Sequence, residues 1–111
     1  MEWKRGVRFQ LVISLKISED SLIVADSNQV STQVDGEAII LNLNDGQYYG
    51  LNPVGARIWS LIQSPVSFQQ VLSALQSEYD VEAEPCRRET LSLLENLISL
   101  NLIRVVDESA A

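Results

Sequence analysis

Val7, Phe9, Leu11, Ile13, Leu15 and Ile17 take every second position from 7 to 17, with Arg8, Gln10, Ser14 and Lys16 among the residues between them. Such alternation predicts a strand, because successive side chains on a strand point to opposite faces. Ser18 to Ser21 interrupts the pattern, and "SLIVAD" then reads as a short apolar strand or arm. "QVSTQV" (29–34) is rich in β-branched residues, and Asp35-Gly36 is a two-residue hairpin signal. "EAIILNL" (37–43) follows, with Ile39, Leu41 and Leu43 on one face and Ala38 and Ile40 on the other, as suits a central strand. Asp45-Gly46 turns the chain into "QYYGL" (47–51). The pattern predicts a three-stranded antiparallel meander joined by tight turns.

After Leu51 the period becomes helical. Asn52 can cap, and Pro53 suits the first helical position, where its missing N–H has no partner to lose. Val54, Ile58, Leu61 and Ile62 form an apolar face with Trp59 beside it, until Ser64-Pro65 ends the helix. "SFQQ" matches a capping box of Ser67 and Gln70, and Phe68, Leu72, Leu75 and Tyr79 line one face of a second helix. Pro85 opens a third. There Leu91, Leu94, Ile98 and Leu102 make one stripe, and Leu93, Leu97 and Leu100 make another. Apolar coverage that wide predicts contact on two sides, and "LIRVV" (102–106) reads as a closing strand. The predicted fold is α+β and winged-helix-like, a three-stranded antiparallel sheet followed by three helices, with an extra N-terminal strand or arm. A sheet that small must bury one face on the helices to be stable.

Composition narrows the function. The chain has 111 residues, enough for one domain that buries about 65% of its unfolded surface. Lys4, Arg5, Arg8 and Lys16 oppose only Glu2 in the first 16 residues, so 14 acids and 4 bases remain, a net of −10. This argues against nucleic acid, whose phosphates require a clustered positive footprint. Cys86 is alone and there are 0 histidines, so no disulfide, thiol cluster, Ser-His pair or Cys-His pair can form within the chain. No catalytic or metal-ligating residue is assigned and no cofactor is expected. No apolar run approaches the ~20 residues of a membrane span, and the basic start lacks a cleavage pattern, so the expected location is the cytoplasm.

The run "DGEAIILNLNDGQYYGLNPVGARIWSLI", with "VLSALQSEYDV" and "LLENLISLNLI" after it, resembles the PqqD-like family. Its members are peptide chaperones for ribosomally synthesised, post-translationally modified peptides, among them the precursor-binding proteins of lasso-peptide gene clusters. The most specific part is Gly-x-Tyr-Tyr-x-Leu-Asn-x-x-Gly at Gly46, Tyr48, Tyr49, Leu51, Asn52 and Gly55, with Trp59 beyond it. The resemblance covers about residues 29–107. It implies a recognition element that binds the leader of a precursor peptide and hands it to a leader protease or another maturation enzyme. The arm of residues 1–17 departs from the family pattern by being longer and basic. The predicted organisation is therefore an N-terminal arm with strand-like segments (1–28), a leader-recognition domain (29–107) and a disordered tail (108–111).

Physics points the same way. The third strand ends the meander, so one edge should be open, and an open edge is a template for an incoming strand. The third helix would flank that edge and supply an apolar wall. The expected leader-binding residues are Gln47, Tyr48, Tyr49, Gly50 and Leu51 on the strand, with Arg87, Thr90, Leu91 and Leu94 on the helix. Each has a plainer role. Tyr48 and Tyr49 point to opposite faces, so one belongs to the core and one near the groove. Gly50 is either a strand irregularity or a point of close backbone approach. Arg87 and Arg88 fit a solvated first turn, although cations near a helix N-terminus are disfavoured, which leaves room for binding. Thr90, Leu91 and Leu94 suit a core or a groove equally. Asn52 and Pro53 read as helix-start chemistry, Trp59 as core, and Cys86 as a small buried residue.

The arm has three readings: an intramolecular strand, a strand swapped into a homodimer, or a docking element for the partner enzyme. Should it take the third-strand edge, it would compete with leader. A winged-helix transcription regulator or adaptor is the alternative function. Its recognition helix should be basic, yet Arg87 and Arg88 here stand against Glu84, Glu89 and Glu95.

Overall fold

The computed structural model describes residues 17–106. The strands are β1 (Leu22–Ala25), β2 (Gln29–Val34), β3 (Glu37–Asn42), β4 (Gln47–Leu51), β5 (Val66–Ser67) and β6 (Ile103–Val106). The helices are α1 (Pro53–Leu61), α2 (Phe68–Glu78) and α3 (Ala83–Ser99). They build two antiparallel sheets, ordered β2-β3-β4 and β5-β1-β6.

The meander forms where the alternation predicts it. Asp35 and Gly36 both have positive φ, 54° and 81°, which is the type I′ geometry that suits the twist of the flanking strands. β3 is central, and Ala38, Ile40 and Asn42 face the helices while Ile39 faces outward. The first two helix starts are also as predicted. Asn52 Oδ1 accepts from Gly55 N–H at 2.9 Å, and the Ser67–Gln70 capping box closes in both directions. α3 begins at Ala83 rather than at Pro85. A proline inside the first helical turn lacks an N–H that has no intrahelical acceptor anyway, so the helix extends upstream of it.

The predicted α+β plan holds, and the short strands expected at "SLIVAD" and "LIRVV" meet in a second sheet whose pairing the pattern did not give. β1 pairs with both β5 and β6, segments about forty and eighty positions further along the chain. No local turn joins them, so no turn signal announces the pairing. Ile23 in β1 is fully buried, which puts these residues inside the fold although they belong to the span assigned to the arm. The strand expected over residues 7–17 lies outside the described residues apart from Ile17, as does the tail of 108–111.

The core lies between the meander, the helices and the second sheet, with Ile23, Ile40, Ile62, Phe68, Leu94 and Leu102 fully buried. Three polar links fix the layers. Asn42, 1% exposed, donates from Nδ2 to the Leu100 carbonyl at 2.8 Å and accepts at Oδ1 from Asn44 N–H at 2.9 Å. Trp59 Nε1 donates to Ser31 Oγ at 3.0 Å, joining α1 to β2. Past the end of α3, Asn101 takes φ 61°, its N–H reaches the Ile98 carbonyl, and Leu102 N–H reaches the Leu97 carbonyl. This left-handed cap reverses the chain into β6.

Candidate functional site

Hydrogen-bond parity shows what β4 offers to its surroundings. Leu43 N–H donates to the Asn28 carbonyl at 3.2 Å, so the odd-numbered residues of β3 and its extension bond towards β2. The even-numbered ones, Ala38, Ile40 and Asn42, therefore bond towards β4, where their partners are Leu51, Tyr49 and Gln47. Tyr48 and Gly50 are left with their N–H and C=O groups directed away from the sheet. Among the described residues nothing pairs with this edge of β4.

The C-terminal end of that edge opens into an apolar groove of about 510 Å³. Gly50 and Leu51 form its strand side, and Val54, Gly55 and Ile58 of α1 form its floor. Leu75, Tyr79 and Val81 close one end, and Pro85, Cys86, Glu89, Thr90 and Leu93 of α3 make the opposite wall. Gly55 makes the tight strand-to-helix link work. A Cβ there would lie 3.2 Å from Leu51 Cβ, so a larger residue would require Leu51 to give by a few tenths of an ångström. At the far side of α1, Arg57 clamps the end of α2 through Nε to Glu78 Oε1 at 2.8 Å and Nη2 to Oε2 at 2.7 Å.

The expected site residues separate into three groups. Gly50, Leu51 and Thr90 line the groove. Gln47, Tyr48 and Tyr49 lie along β4 outside it. Tyr48 is 70% exposed on the outward face, whereas Tyr49 is half-buried on the helix-facing side. The Tyr49 hydroxyl donates to Asp45 Oδ2 at 2.7 Å, and that hydrogen bond to a carboxylate raises the phenol above its ordinary pKa. The remaining three face elsewhere. Leu94 is sealed in the core at 0% exposure, and Leu91 packs half-buried against it. Arg87 lies over the Phe68 ring at 5.7 Å and pairs with Glu19 at 3.7 Å.

The sequence reading assigned no groove role to Pro85, Glu89 and Leu93. Their spacing of four along α3 is the signal that could have found them, since residues four apart share a helix face. Leu75, Tyr79 and Val81 carried no such signal, because only the packing of α2 against α3 brings them to the groove.

The family model described as coenzyme PQQ synthesis protein D (PqqD) matches residues 37–103. That span runs from the start of β3 to the first residue of β6 and includes the whole groove. The chain belongs to the PqqD family. Two solved structures share the fold of this PqqD-family chain. TbiB1 in complex with the TbiA(beta) leader peptide is 29% identical, with a TM-score of 0.70 over 77% of this chain and 99% of that one. A lasso peptide synthetase B1 complexed with the leader peptide is 23% identical, with a TM-score of 0.61 over 81% of this chain and 100% of that one. The second likeness is one of fold alone. No curated protein matches the sequence.

Proposed function

We propose that this chain is a non-catalytic precursor-peptide chaperone that captures the leader of a ribosomally made peptide and delivers it to a maturation enzyme such as a leader protease. The observation that carries this reading is the open edge of β4, where Tyr48 and Gly50 direct backbone groups outward beside an apolar groove. A leader strand added there gains main-chain hydrogen bonds from the edge and sequence preference from the groove. Its alternate side chains would enter between β4 and α3. The leader-bound TbiB1 structure, similar over most of this chain, supports the same reading.

Delivery calls for a second surface. The outward face of the meander exposes Val30 (58%), Val34 (48%), Ile39 (40%) and Tyr48 (70%), an apolar patch directly beside the proposed leader edge. An enzyme docked on this patch would meet the leader as it leaves the edge. The regulator alternative gains no support, because Arg87 of α3 is turned towards Glu19 and Phe68.

The test is a fluorescence-anisotropy titration with a synthetic leader from a short precursor gene beside this one. Saturable binding that weakens on Leu93→Ser is the expected result. Absence of binding, both alone and with the maturation enzyme added, would reject the reading.

A further inference from the structure

The groove is apolar with one charged exception. Among its lining residues Glu89 alone carries a charge, and it stands on α3 between Pro85 and Leu93, one turn from each. The other side-chain oxygens on that stretch of wall and floor are occupied or buried. Asn52 Oδ1 caps α1, and Thr90 is buried with its hydroxyl 4.0 Å from Cys86 Sγ.

Among the described residues, Glu89 has no cation paired with it. Among the described residues Arg57 pairs with Glu78, Arg87 with Glu19 and Arg104 with Asp26, and none reaches Glu89. Arg88, its neighbour in sequence, makes no ion pair with it, because adjacent residues on a helix diverge by about 100°. Around the same mouth, Asp80, Glu82 and Glu84 are exposed on either side of the lining residues Val81 and Pro85. The field at the groove entrance is therefore negative, on a body whose residues from 17 onward carry a net of −10.

We propose that the peptide segment accepted here is basic as well as apolar, with Glu89 as the specificity-determining residue. A Lys or Arg of the bound strand faces Glu89 from a position two residues away from the side chain that fills the groove. The spacing follows from strand geometry, since alternate residues share a face. Acidic segments of equal hydropathy are rejected, because they bring a like charge to a carboxylate that no cation among the described residues neutralises. This rests on the leader-strand reading above and adds to it the chemical class of the ligand.

The experiment uses the full chain and labelled designed peptides of alternating apolar and serine residues. Each carries one Lys, Gln or Glu, stepped through the positions on the apolar side. At low salt the best Lys peptide should bind about twofold to fivefold tighter than its Gln counterpart, the range of a solvent-accessible ion pair. Glu at that position should weaken binding by a similar factor. Glu89→Gln should remove the Lys advantage over Gln, and Glu89→Lys should invert the order. High salt should shrink the preference in the parent protein. Equal affinity for Lys and Gln peptides, or a Lys advantage that survives Glu89→Gln, overturns the proposal and leaves leader recognition standing. If none of the peptides binds, the charge preference is overturned, while strand capture stands or falls with the leader titration above.

Discussion

Replacing Gly50 with proline separates the two edges of β4. Parity places the Gly50 N–H on the outer edge, so proline there removes a donor that the sheet does not use. A Cβ added at Gly50 would meet nothing within 4 Å, so a side chain can start there without a clash. Edge strands tolerate proline, and the restricted unfolded chain offsets part of any local strain by about 0.4–1 kcal/mol. The melting temperature should therefore move little. Leader binding should not survive as well. One interstrand bond worth about 1 kcal/mol is lost, and a peptide carbonyl is left unpaired at about 1 kcal/mol or more. Together these come to about 2 kcal/mol, or roughly a thirtyfold rise in Kd. Tyr49→Pro is the opposite control. It deletes a donor facing fully buried Ile40 within the sheet, so it should lower stability sharply. Anisotropy titration with leader peptide, alongside thermal melts by circular dichroism, reads both effects. A folded Gly50→Pro variant that binds leader as tightly as the parent would refute strand addition at this edge.

Three further outcomes are expected. Asn42→Ala removes two hydrogen bonds from a buried side chain and leaves the Leu100 carbonyl without its partner, which should cost about 2 kcal/mol in urea denaturation. The Arg57–Glu78 clamp should give an acid-dependent contribution. Hydrogen bonding to Arg57 holds the Glu78 carboxyl below its ordinary 4.5, so the clamp's stabilisation is complete above that value and fades as pH falls through the depressed one. Arg57→Met should therefore flatten the loss of melting temperature below about pH 4.5, and parallel curves for the two proteins would contradict this assignment. Ile39→Ser combined with Tyr48→Ser should leave leader affinity intact while abolishing stimulation of the partner enzyme, measured by peptide cleavage with purified components.

The meander, both hairpin turns and two helix starts were legible because each depends on residues close together in the chain. Asp35-Gly36 tolerates positive φ, and Asn52-Pro53 and Ser67-Gln70 satisfy helix-end N–H groups within one turn. That β4 would have a single partner among the described residues was legible for the same reason, since a last strand in a meander has one neighbour. The groove wall was harder to read. Leu91, Leu94, Leu93 and Thr90 all lie on an apolar helix, and periodicity cannot say which stripe meets the core and which meets a cleft. Leu94 went inward, into the buried cluster that also holds Phe68 and Ile40, while Leu93 was turned to the groove. Arg87 was diverted by Glu19, a residue sixty-eight positions earlier that no local pattern links to it.

By itself the sequence determined the local elements, the acidic body, the absence of histidine chemistry and a strand edge beside a helix. Those properties follow from nearest neighbours and from composition, which every conformation shares. Only the tertiary structure decided that β1, β5 and β6 form a second sheet, that α2 closes one end of the groove, and that Glu89 is the charged residue on its wall. Each of these depends on contacts between distant segments. Such contacts are selected by how the whole apolar surface can be buried at once, a condition on the complete chain rather than on any stretch of it.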